Sequence, residues 1–268
     1  MSEHRLAARW RALRAAGRPG LVAYLTAGYP SGDATVSALR MLDAEGVDVI
    51  ELGLPFSDPV ADGPVIQRSS HQALGTGASV AAAFDQLRRA APQAPVIAFS
   101  YLNPILAYGV ERFVTDAAAV GIVGLLVTDL PTGADPALEA RLASGPLALV
   151  RLVAPTTSPD RLRTMTFDPR GFVYVIARLG VTGARSEVAD ELASVIGRVR
   201  EVTDLPIAVG FGIRDVAQAR RVAGMADGVV VGTALVECLG ESEASARSLI
   251  RALREALHQV PAPVGRSG

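Results

Sequence analysis

The chain has 268 residues and a mass of 27.8 kDa, and half of its residues are hydrophobic, ample for a sizeable core in one large domain or two small ones. Lys+Arg total 26 against 27 Asp+Glu, a formal net charge of −1, so no global field draws nucleic acid or an anionic membrane. The longest apolar runs are of strand length, short of a membrane span, and the single cysteine, Cys238, excludes an internal disulfide and suits a reducing, cytoplasmic setting.

Near the start, Leu6, Trp10 and Leu13 recur at helical spacing. With Arg5, Arg9, Arg11, Arg14 and Arg18 they predict a short amphipathic capping helix rather than a transit peptide. Strand-like runs follow at 21–26, 47–51, 96–101, 123–128, 147–153, 172–177, 207–210 and 228–232. Amphipathic segments at 33–45, 80–90, 110–120, 160–165, 188–202 and 215–223 lie between them. Ser158-Pro159 opens a helix with a capping hydroxyl and a proline at the first helical position. Eight such units predict an α/β fold, a (β/α)8 TIM barrel with an extra N-terminal helix, as one domain over 1–268. The turn after the first strand, Thr26-Ala-Gly-Tyr-Pro-Ser-Gly32, lacks the glycine spacing of a doubly wound dinucleotide fold. The longest loops are expected at 53–79 and 178–187, both on the C-terminal rim, and the tail from 260 is expected to fray.

Lysine is missing; all 26 basic residues are arginine. That removes Schiff-base aldolase chemistry, an internal pyridoxal aldimine and a P-loop lysine. His4 and His258 lie near the termini, and His71 stands in a polar stretch that reads as a solvated helix face. A catalytic zinc site gathers two or three histidines, so neither metal nor cofactor is expected. Catalysis falls to carboxylates.

Two of these bracket the stretch Glu51-Leu-Gly-Leu-Pro-Phe-Ser-Asp-Pro-Val-Ala-Asp62-Gly-Pro64. Glu51 is read as ending a buried strand, where a carboxylate is costly unless solvated or used, and Asp62 as sitting in the loop beyond. Two acids over one cavity serve acid and base chemistry near neutral pH. The plainer reading is a strand end in water and a helix cap. Gly210-Phe-Gly-Ile213 and Val231-Gly-Thr-Ala234 follow strands seven and eight, where such barrels bind phosphate on backbone N–H groups; tight turns would also explain them. Gly180-Val-Thr-Gly-Ala184 suggests a lid, with a hydroxyl at Thr182.

Together these motifs resemble the tryptophan synthase alpha subunit, in order and spacing, from about Leu21 to Leu239. The resemblance implies a TIM barrel that cleaves indole-3-glycerol phosphate to indole and glyceraldehyde 3-phosphate. It also implies a partner, a pyridoxal-phosphate beta subunit in an alpha2beta2 complex. By motif, Glu51 and Asp62 match the catalytic pair, and Tyr174 matches an active-site tyrosine, although barrel packing also accounts for it. Phe211, Phe99 and Tyr24 match the wall around the indole ring. Gly183, Gly212, Gly232 and Thr233 match the phosphate cradle, Thr233 standing where serine is usual. Pro55, Asp58 and Asn103 fall on surfaces that meet the beta subunit. A free-standing lyase would keep the same residues. A catalytically silent scaffolding subunit would not need Glu51 and Asp62 intact.

Overall fold

The computed structural model describes residues 3–143, 145–165, 167–177, 185–210 and 212–261, with backbone alone at 185–189. Helix α1 (Arg5–Ala15) precedes β1 (Gly20–Thr26), α2 (Gly32–Ala44) and β2 (Val49–Gly53). Then come α3 (Pro64–Gly75), α4 (Val80–Ala90), β3 (Val96–Ser100), α5 (Leu102–Tyr108), α6 (Val110–Ala119) and β4 (Ile122–Val127). They are followed by α7 (Pro136–Ala143), β5 (Ala148–Val153), α8 (Pro159–Thr164), β6 (Val173–Ile176), α9 (Arg185–Arg200) and β7 (Ile207–Gly210). The series closes with α10 (Val216–Ala223), β8 (Gly228–Val231), α11 (Thr233–Glu241) and α12 (Glu243–His258). The strands form a closed parallel barrel in sequence order, β8 pairing back to β1.

Side chains alternate across each strand, so the barrel has two apolar layers. Val22, Val49, Ile97, Leu126, Val150, Phe172 and Val230 pack inside it. Leu25, Ile50, Leu52, Leu125, Val175 and Val209 face outward, against helix residues such as Leu39, Leu87, Phe113 and Ile250. Ser158 caps α8 as expected, and Ser31, Ser79 and Ser242 likewise accept a first-turn N–H ahead of α2, α4 and α12. The N-terminal capping helix is also present. Leu6, Trp10 and Leu13 of α1 join the interior cluster, the Trp10 ring 5.2 Å from that of Phe172. A Cβ on Gly228 would meet the Trp10 ring at 2.6 Å, so the indole seats only over glycine. Helix α1 therefore plugs the N-terminal end, and the C-terminal mouth is left for ligands.

Three expectations change. Strand two does not end at Glu51 but runs to Gly53, which pairs with Thr26 on one side and Phe99 on the other. Glu51 consequently points into the barrel instead of sitting on its rim. The span expected as one long loop after this strand contains α3, which begins with Pro64 at its first turn. Its buried stripe, Ile66, Ser69, Ser70 and Ala73, is too small and polar to register as apolar periodicity. The helix expected from 188 starts at Arg185; the loop before it and the tail from 262 lie outside the described residues.

Candidate active site

Glu51 is fully buried in the middle of β2, and neither carboxyl oxygen has a hydrogen-bond partner among the described residues. Burial without compensation penalises the charged form and pushes its pKa up to about 8. Asp62 lies in the loop between β2 and α3, half-buried. Its Oδ2 accepts a 3.1 Å hydrogen bond from the Tyr101 hydroxyl, which itself accepts from the Ala61 N–H at 2.9 Å. Burial raises its pKa to about 6, and the Tyr101 bond, which favours the carboxylate, limits the rise. From about pH 6 to about pH 8, then, Glu51 is a neutral acid while Asp62 is a carboxylate. Environment sorts one pair of acids into two roles.

Both acids line one cavity of about 410 Å³ at the C-terminal mouth, within the usual range for small-molecule sites. Its wall carries Tyr24, Ile66, Phe99, Tyr174 and Val230. Tyr24 and Phe99 meet edge to face, centroids 5.3 Å apart, leaving an apolar slot suited to a flat ring. The two tyrosines fit because glycines stand opposite: a Cβ on Gly53 would take the place of the Tyr24 hydroxyl, and one on Gly210 that of the Tyr174 hydroxyl. Burial first, and the negative charge of the nearby acids second, holds both phenols well above their usual pKa range, so they remain protonated donors.

Gly212, Gly232 and Thr233 line the same cavity. Gly212 has φ 93°, a conformation that favours glycine. Helix α11 begins at Thr233, and its N-cap, Gly232, offers no side chain to its first-turn N–H groups. Those donors and the positive end of the helix dipole suit an anion.

Of the residues expected at this site, Glu51, Asp62, Tyr24, Phe99, Tyr174, Gly212, Gly232 and Thr233 meet around the cavity. Thr182, Gly183 and Phe211 lie outside the described residues. Asp58 and Asn103 are exposed, whereas Pro55 is buried beneath its loop. Sequence reasoning misses Arg68, Arg214 and Glu237, which also line the cavity, and the Tyr101 bond to Asp62. Arg214 directly follows Gly210-Phe-Gly-Ile213, and that adjacency is the one available signal. Arg68 falls one helical turn after Pro64, inside the helix expected as loop.

A closed barrel with unfilled helix-start donors and glycines past strands seven and eight, and two acids facing an apolar slot, is an arrangement suited to a phosphate-bearing ligand and to proton transfer. Comparison with known proteins supplies the family. The family model described as tryptophan synthase alpha chain matches residues 10–262, and this chain belongs to that family. The tryptophan synthase alpha chain of Acidiphilium cryptum is 47% identical over 238 residues, 88% of this chain and 86% of the relative. That of Halorhodospira halophila is 46% identical over 264 residues, 94% of this chain and 96% of the relative. Among solved structures, Mycobacterium tuberculosis tryptophan synthase superposes with a TM-score of 0.87 at 38% identity, covering 96% of this chain and 99% of the other.

Proposed function

We propose that this chain is the lyase subunit that cleaves indole-3-glycerol phosphate into indole and glyceraldehyde 3-phosphate, for use by a pyridoxal-phosphate beta chain. The observation that carries the reading is the buried Glu51, without a hydrogen-bond partner among the described residues, in the same cavity as Asp62 and the Gly212, Gly232 and Thr233 cradle.

The chemistry follows from the protonation states. For the ring to leave, its C3 must first be protonated, which breaks aromaticity. Neutral Glu51 delivers that proton, and Asp62, as carboxylate, accepts from the indole N–H and stabilises the positive charge that develops there. Glu51, now ionised, takes the proton of the hydroxyl on the glycerol carbon attached to the ring. The oxygen electrons form the aldehyde carbonyl, the carbon–carbon bond breaks, and its electron pair restores the aromatic ring. Glu51 ends protonated, ready for the next cycle. The backbone donors at Gly212, Gly232 and Thr233 hold the phosphate, while Tyr24, Phe99 and Tyr174 hold the ring. Gly183 and Thr182, outside the described residues, are assigned to the substrate site by the family resemblance alone. Asp58, in the β2–α3 loop with buried Pro55, and Asn103, in α5, mark the face offered to the beta chain. One domain carries every role.

Timing indole release from indole-3-glycerol phosphate, with and without a beta chain, tests this reading. Slow turnover accelerated by the partner is expected. Full speed alone would make the chain a free-standing lyase, and no indole under either condition would overturn the assignment.

A further inference from the structure

We propose that Tyr101 is a positioning residue for Asp62, its hydroxyl fixing the carboxylate over the cavity and pinning the preceding loop to the end of β3. This inference rests on the lyase reading and adds a residue that the catalytic pair does not include. Tyr101 is 3% exposed at the junction between β3 and α5. Three contacts join it to the loop: its ring lies 5.1 Å from the ring of Phe56, its hydroxyl accepts from the Ala61 N–H, and the same hydroxyl donates to Asp62 Oδ2. The loop between β2 and α3 spans ten residues, 54–63, and leaves a carboxylate at this point many rotamers. A tyrosine anchored by a strand end removes most of them. Because the Ala61 N–H takes one lone pair of the phenol oxygen, the hydroxyl proton is directed to the carboxylate next door. The fixed donor favours ionised Asp62, the form able to receive the indole N–H.

The groups facing Asp62 are Tyr101, Glu51 from β2, Tyr24 from β1 and Tyr174 from β6. Arg68, Arg214 and Glu237 line the same cavity. Tyr101→Phe removes one hydroxyl and keeps the ring against Phe56, so the fold is expected to survive with little change in Tm. The expected result is a three- to ten-fold loss of kcat, order of magnitude only, with KM changed less than about two-fold. The acid limb of the kcat/KM profile, assigned to Asp62, should move up by roughly one pH unit. Carbon-13 NMR titration of the Asp62 carboxyl, read without any turnover, should move in the same direction. In an Asp62→Asn background the second change should cost nothing further. Phe56→Leu, which spares the hydroxyl, should leave the acid limb in place. An unmoved Asp62 titration in Tyr101→Phe, or losses that multiply in the double variant, would overturn the proposal. Should wild-type protein release no indole while the Asp62 titration still moves, the lyase reading falls and the positioning role stands.

Discussion

Two acids enter the barrel three residues apart and meet opposite fates. Asp48, at the floor, is 1% exposed and fully partnered: Arg18 grips it through two hydrogen bonds of 2.9 and 2.8 Å, and the Leu21 N–H donates to it at 2.9 Å. Arg9 stands 3.8 Å away. Glu51, at the mouth, is as deeply buried and has no partner among the described residues. Burying an ionised carboxylate costs several kcal/mol unless it is paired, so a chain that keeps both has paired one and left the other neutral. The floor acid welds the loop before β1 to the start of β2. The mouth acid is left facing the cavity.

Glu51→Gln is the sharpest way to separate the two. It keeps size and burial and removes the transferable proton, so kcat should fall by roughly 10²- to 10⁴-fold in an indole-release assay. Binding of glycerol phosphate, read by calorimetry, should survive. Stability should respond too. Because the folded-state pKa of Glu51, about 8, lies above its unfolded value, the folded chain binds more protons between the two, and stability falls as pH rises toward 8. Glu51→Gln should flatten that slope in urea melts and gain up to a few kcal/mol at the alkaline end. Near-normal turnover in this variant would remove Glu51 from its role.

Asp48→Ala should show the reverse pattern. It strands Arg18 and the Leu21 N–H, and a loss of roughly 3 kcal/mol in unfolding free energy is expected. Turnover per folded molecule should be unchanged, because the floor does not line the cavity.

The smallest effect concerns the pH optimum of the wild-type chain. Asp62 must be ionised and Glu51 protonated in the free enzyme, so kcat/KM should be bell-shaped, falling below about pH 6 and above about pH 8. A profile flat across that range would mean that the two acids do not divide the work.

Much of the fold and half of the site logic are legible in the residues themselves, for identifiable reasons. Barrel strands are buried on both faces and appear as short continuous apolar runs, which locates all eight. Helix α4 has the bounds its sequence predicts because Ser79 caps its start and the chain turns left-handed at Ala91. Glu51 lies deeper than its sequence suggests because Gly53, which reads as a breaker, is tolerated in β2 to make room for the Tyr24 hydroxyl. Helix α3 is hidden by serines and alanine in its buried stripe. Glu51 and Asp62 stand out in the motif itself, but their unequal ionisation does not. That depends on what surrounds each carboxyl in space, on Tyr101 from 39 residues away and on the lack of any donor near Glu51 among the described residues.

The protonation state of Glu51 can be read by infrared difference spectroscopy, wild type against Glu51→Gln, across a pH titration of the free chain. A protonated carboxyl band that persists through neutrality and converts to carboxylate near pH 8 is expected. A Glu51 already ionised at about pH 5, like an ordinary glutamate in water, would leave the cavity without its acid and end the proposal.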